Sequence, residues 1–294
     1  MYYQMLFISL IMIKILTCSV LWSLFILNAI GQKLPAPINT EMQELTSAML
    51  PDSSLLVASG SNEENYSVKR YVFDGTLWNA QANQLTELLN SIIYKSSHLH
   101  FRFSGDGRKM VVMLHGKGDH RIYLTELQEN NEWSFFRDIV DPSEYSYFNY
   151  TPSFSSYNKV LYLSDNGKVP NSFWTYTNTD SFKEKTQYVF DEFIAINDVI
   201  GVGTNSVLIH AAAKKEKDVY WYFLKKDKNG EWTVPYPIKA LDNTAFGLTL
   251  TPFDDVILYS EWSSGDLFLM KTPPIIKQEL ESQKKSTINW SRIC

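Results

Sequence analysis

Cysteine is almost missing from this chain: Cys18 and Cys294 are the only two among 294 residues. Two thiols so placed exclude a disulfide framework and any cysteine-based zinc site. A surplus of basic charge is also missing, since the net charge is −5 and the pI about 5.6. No basic surface therefore advertises nucleic acid. Glycine-rich phosphate loops are absent as well. Gly201-Val202-Gly203 has neither a third glycine nor a following helix, and reads as a turn. No G-x-S-x-G nucleophile elbow occurs. Alternating strand and helix patterns are lacking, and the only helix-like stretch is Asn83 to Ile93, with Leu85, Leu88, Leu89 and Ile92 on one face.

What the chain does have is aromatic and β-branched sequence in short runs. Seventeen Tyr, seventeen Phe and eight Trp suit strands better than helices. Its longest apolar run lies at the N-terminus. Read from Met12, which is taken as the true start, Met12-Ile13-Lys14 is a basic n-region, Ile15 to Leu27 an apolar h-region, and Asn28 to Gly31 a small-residue exit. This is the pattern of a secretory signal peptide over residues 1–31, with Gln32 as the new N-terminus. The run from Ile15 to Ile30 is shorter than the roughly 20 residues that span a bilayer. The alternative is an N-terminal membrane anchor with Lys14 inside the bilayer, at a cost of about 3 kcal/mol. Residues 32–39, with Pro35 and Pro37, read as an extended linker.

The rest of the chain repeats. A polar turn followed by an apolar strand recurs at Asp52, Asp106, Asn158, Asn205 and Asp254, at intervals of about fifty residues. A second strand follows in register at Asp119 to Tyr123, Asp218-Val219-Tyr220 and Asp266-Leu267-Phe268. Trp78, Trp133 and Trp232 each open a further strand 26 or 27 residues after the turn, and Phe182 takes that place in the third copy. Trp133 and Trp232 are expected to pack on neighbouring units. In the fifth copy the strand is expected around Asn289-Trp290-Ser291, after an insertion rich in Lys, Gln and Glu. Each unit is thus four short strands, which cannot bury both faces alone and must stack around an axis. The fold class expected is all-β: a β-propeller of about five four-stranded blades over residues 40–294. The blades fall near 40–82, 94–140, 147–190, 194–240 and 245–294.

These residues resemble the WD40-like propeller repeats, called PD40, of TolB-type and OmpA-associated periplasmic proteins. Phe103-Ser104-Gly105-Asp106-Gly107 resembles the family's serine–proline–aspartate–glycine turn. Asp218-Val219-Tyr220 and Asp266-Leu267-Phe268 resemble its aspartate–aliphatic–aromatic strand, and Trp232 to Pro235 with Leu241 and Asn243-Thr244 its closing run. The similarity covers about residues 38–291. Only Asp52 keeps a proline–aspartate pair, and the third and fourth turns carry Asn. The resemblance implies a periplasmic or secreted propeller that binds a protein or glycan partner without catalysis, and it says little about activity because propellers host many functions.

Candidate chemistry concentrates in blade two, which holds His98, His100, His115 and His120. His98, His100 and Arg102 alternate with Leu99, Phe101 and Phe103 and so share a strand face, a candidate anion- or substrate-binding set near the channel. The competing reading is a hydrogen-bonded polar patch between blades. No spacing of His and carboxylates makes a metal site, and neither a cofactor nor a catalytic residue is assigned. The alternative function is a carbohydrate-active enzyme, for which Glu192, Asp198, Asp255 and Glu261 would have to converge on the channel. The mature chain is expected to be a monomer without a membrane span.

Overall fold

The computed structural model describes residues 31–60, 66–93, 96–116, 119–139, 152–155, 160–165, 169–177, 184–216, 218–241, 243–251 and 255–290. Five antiparallel four-stranded sheets stand around one axis. Blade one is β2 (Gln43–Met49), β3 (Leu55–Gly60), β4 (Tyr66–Phe73) and β5 (Trp78–Ala80), counted from the axis outward. Blade two is β6 (Ser96–Phe103), β7 (Lys109–Gly116), β8 (Asp119–Glu126) and β9 (Arg137–Asp138). Blade three follows with β10 (Pro152–Phe154), β11 (Leu161–Asp165), β12 (Ser172–Tyr176) and β13 (Lys185–Val189). Blade four has β14 (Phe193–Gly203), β15 (Ser206–Ala213), β16 (Val219–Lys225) and β17 (Tyr236–Pro237).

The second strand of a blade meets a neighbour on both faces, which is why β3 reads Leu-Leu-Val-Ala-Ser-Gly and is buried throughout. The turns are made by side chains that replace backbone partners. Asp106 Oδ1 accepts from Ser104 Oγ at 2.7 Å and from Arg108 N at 3.0 Å, and Asp227 Oδ1 accepts from Asn229 N and Glu231 N. Helix α1 (Gln84–Ile93) links blades one and two and buries Leu85, Leu89 and Ile93, the face expected from the sequence. Five apolar clusters fill the five seams between blades. The cluster of Leu34, Ile38, Met49, Leu55, Val57, Tyr71, Leu258 and Leu267 joins blade five to blade one, so the ring closes.

The closure itself departs from the sequence reading. Blade five consists of β18 (Ala245–Leu250), β19 (Val256–Glu261) and β20 (Leu267–Lys271), and its outer strand is β1 (Gln32–Lys33), paired as Gln32 with Leu269 and Lys33 with Phe268. The segment 32–39 is therefore a clasp. Asn39 holds it, donating from Nδ2 to Leu34 O at 2.7 Å and Leu267 O at 3.0 Å while Oδ1 accepts from Leu267 N at 2.8 Å. Lys33 Nζ meets Asp266 Oδ2 at 2.5 Å. The strand expected around Asn289 to Ser291 is not formed, because Pro274–Trp290 is helix α2. Pro273 and Pro274 end β20, Pro274 has the fixed φ that suits a first helical turn, and the following Lys, Gln, Glu and Leu are strong helix formers. Residues 1–30 of the segment 1–31 read as a signal peptide, the turn positions Asn158 and Asp254, Phe182 and Ser291 lie outside the described residues.

Candidate functional site

The five inner strands β2, β6, β10, β14 and β18 leave an axial channel, and Arg102 of β6 crosses it. Its Nη1 donates to Asp198 Oδ1 at 2.9 Å and its Nη2 to Asp198 Oδ2 at 2.6 Å. Asp198 belongs to β14, two blades away. Nη2 also donates to Leu248 O of β18 at 3.2 Å, and Nη1 makes long contacts of 3.5 Å with Pro152 O of β10 and Val199 O of β14. One guanidinium thus ties four of the five inner strands. Both side chains are buried, and a planar fork matched to a carboxylate is the arrangement that makes such burial tolerable. Thr249 Oγ1 of β18, donating to Ser47 O at 2.9 Å, brings in the fifth strand.

His98 and His100 stand on the same strand as Arg102, opposite His115 and Met113. The side chains of His98, His115 and His120 lie outside the described residues. His100 is half-buried. The histidine that joins the channel pair is one that the blade-two pattern did not single out. His210 of β15 is registered against Asp198 and stacks on Trp221, with ring centroids 4.9 Å apart and planes at 22°. Its Nε2 is buried without a hydrogen-bond partner. Burial lowers the His210 pKa, and the Asp198 charge opposes that shift without cancelling it. The imidazole is therefore neutral at neutral pH.

At one mouth, helix α2 lies on the turns of the blades. It buries Ile276 and Leu280, and Glu279 receives Ser206 Oγ at 3.1 Å and Lys225 Nζ at 2.6 Å. Beneath it a cavity of about 120 Å³ is lined by Ala48, Phe103, Phe154, Ile200, Leu250 and Leu280, with Arg102 at its wall. That is smaller than the roughly 300–1,000 Å³ of a small-molecule pocket. Gly201 and Gly203, read as a turn from the sequence, are the end of β14. A Cβ on Gly201 would come within 2.6 Å of Phe154 O, so the glycine permits blade three to approach. The turn follows at Thr204-Asn205.

The four carboxylates proposed from sequence are spread over the ring. Asp198 is held by Arg102. Asp255 pairs with Lys277 of α2. Glu261 stands at the far end of β19, about 20 Å from Asp255 at the rise of a strand. Glu192 is exposed on the link between blades three and four. Among the described residues, no group of three His, Cys, Asp or Glu is placed to hold a metal ion.

Solved structures similar to this one share little sequence identity with it. TolB from Acinetobacter baumannii aligns with a TM-score of 0.48 and 9% identity over 78% of this chain and 54% of its own. This chain therefore spans about half the length of that protein. A putative TolB from Agrobacterium tumefaciens gives 0.47 and 8%, covering 78% of this chain and 74% of its own. A PQQ-bound aldose sugar dehydrogenase from Streptomyces coelicolor gives 0.42 and 10%, covering 83% and 99%. Likeness at this level speaks to fold alone. No protein-family model and no curated protein sequence matches the chain.

Proposed function

We propose that this chain is an exported, non-enzymatic propeller of the WD40-like (PD40) kind, periplasmic or secreted, that presents one loop face to a protein or glycan partner. The observation that carries this reading is the Arg102–Asp198 pair. It places a neutralised, four-strand knot where a channel enzyme would need free carboxylates, and α2 covers one mouth. Among the described residues, the blade links and the β19–β20 turn stand at the opposite face, which is the one left to a partner. Export rests on the Lys14-led apolar run, and among the described residues no helix is long and apolar enough to cross a membrane.

Site-specific photo-crosslinking tests the choice of face. A crosslinker at Ser263, on the open face, should capture the partner in the native host, while one at Asn229, on the α2 face, should not. Capture only from position 229 would reverse the assignment. N-terminal sequencing of the exported protein should begin at or near Gln32, and a membrane-bound form that starts at Met1 or Met12 would replace export with anchoring.

A further inference from the structure

Among the described residues, the open face carries one aromatic side chain that is mostly exposed. Trp262, in the turn from β19 to β20, is 76% exposed. It is not loose. Its backbone N donates to Thr244 O at 2.9 Å, and Phe246 of the inner strand β18 meets the indole edge-on, centroids 5.2 Å apart at 75°. The turn beneath is tied at both ends, by Gly265 N to Glu261 O at 2.8 Å and by Glu44 N of blade one to Gly265 O at 2.9 Å. Gly265 holds φ +71°, and a Cβ there would come within 3.2 Å of the Gln43 backbone, so no other residue sits there without strain. The indole is therefore presented ready-formed, and little ordering remains to oppose binding.

We infer that Trp262 is a stacking platform for one ring of a neutral glycan at the channel mouth, an assignment that rests on the binding-propeller reading above and selects the glycan within it. Size favours a sugar: among the described residues at this turn, a Trp side chain offers about 250 Å² at most, whereas a stable protein interface takes about 800 Å² from each partner, a little over half of it apolar. Among the described residues, the other large apolar side chains exposed on this face are Met42, next to the Gln43 that meets Gly265, and Val189 and Ile194 on blades three and four. The area suits a single pyranose. Polar groups flank it in sequence: Glu261, whose Oε2 accepts from Ser264 Oγ at 2.8 Å, and Ser263, which is exposed. Hydroxyl groups of a sugar can donate to that carboxylate, whereas an acidic sugar would be repelled by it. Among the described residues, no basic side chain neutralises Glu261. Phe246 lies two residues before Leu248 on β18, and His100 two before Arg102 on β6. By the repeat both stand in the layer above the Arg102 knot, so a glycan on Trp262 has the mouth beside it.

The test is titration of the purified protein with cellotetraose, chitotetraose and, as the acidic control, tetragalacturonate, followed by indole N–H shifts and calorimetry. One neutral oligosaccharide should bind and shift the Trp262 signal, with tetragalacturonate silent. Trp262→Ala should weaken binding about tenfold or more, as the loss of one aromatic stacking contact does, with thermal unfolding unchanged, and Trp262→Tyr should restore part of it. Neutral-glycan binding that Trp262→Ala leaves intact would overturn the platform while leaving a glycan-binding propeller. No binding of either neutral oligosaccharide, with a protein partner lost on Trp262→Ala, would overturn the glycan and assign Trp262 to a protein contact. Preferred binding of tetragalacturonate would overturn the charge argument.

Discussion

Arg102 and Asp198 are 96 residues apart in sequence and form a two-pronged ion pair across the propeller axis, at 2.9 and 2.6 Å. Neither charge has bulk water to fall back on. Breaking the pair from one side should therefore cost about 3–5 kcal/mol, the range for one-sided removal of a buried ion pair. Arg102→Met and Asp198→Leu should each show this loss in chemical denaturation. The double variant should be more stable than either, because it leaves no lone charge. Equal losses in singles and double would mean that the pair is not what closes the channel.

The clasp should be the weak point of the ring. Asn39→Ala removes three hydrogen bonds and leaves Leu267 N and Leu34 O without that partner, while Leu267 O keeps its bond from Leu34 N at 2.9 Å. A loss of about 2–3 kcal/mol is expected, the scale of leaving buried groups unsatisfied. Hydrogen exchange should speed up at Leu267–Lys271 and leave β7 unchanged, as local opening of one blade requires. Uniform acceleration across all blades would show that the seam does not open separately.

Two buried titratable groups give opposite pH responses. Glu44 is fully buried; its Oε1 accepts from Thr40 N and Oγ1, and its Oε2 has no partner. Burial, the largest cause, raises its pKa, and nearby Asp266 adds to the shift. A raised carboxyl favours the folded state while protonated, so stability is lost as pH rises from the ordinary value of 4.5 through the folded one. Glu44→Gln should remove that decline and stabilise the protein at pH 7, in melting curves taken from pH 4 to 8.

His210 works the other way. Its folded pKa lies below 6.5, so stability is present above that value and is lost as pH falls through the folded pKa, when a proton must enter a buried ring stacked on Trp221. His210→Phe keeps the stack and should flatten the acid limb of the same curve. An unchanged acid limb would place the sensitivity elsewhere.

Trp232 packs where the repeat predicted, on the neighbouring blade. Its ring meets Phe173 at 5.5 Å and Tyr188 at 5.6 Å, both of blade three, with Lys226 Nζ 5.1 Å above its centroid. Trp133 packs at the seam of blades one and two against Phe103, and its N donates to Gln84 Oε1 of α1 at 2.7 Å. Both are half-buried, so Trp232→Ala should cost about 3 kcal/mol, the lower end for large aromatics. A change of a few tenths would separate Trp232 from the seam.

Much of this architecture was legible in the chain. Turn chemistry is local: Asp52 and Asp106 close their turns with atoms two residues away, and so such turns could be counted without coordinates. Strand patterning is local too, and it yielded five blades and α1; of the Trp residues expected to open strands, Trp78 opens β5, whereas Trp133 and Trp232 make single bridges four residues before β9 and β17, and Trp290 is in α2. The second helix was legible in part, since Pro273-Pro274 ahead of strong helix formers is a start signal, but the expectation of a fourth strand overrode it. Among the functional candidates, Arg102 was found as a charged residue on an inner strand and Asp198 as an inner carboxylate. Their attachment to each other was not visible.

The sequence by itself determined the repeat, because the period of a hydrogen-bonded hairpin is written in residues that touch their near neighbours. Only the tertiary structure decided what the ends and the axis do. The clasp pairs Gln32 with Leu269, and the channel knot pairs Arg102 with Asp198. Both are contacts between segments whose only relation is that a closed ring brings them together. A local pattern carries no information about such meetings, since any outer strand could have closed blade five and any inner carboxylate could have met the arginine. Closing the ring fixes the distances, and the buried charge then has one partner within reach.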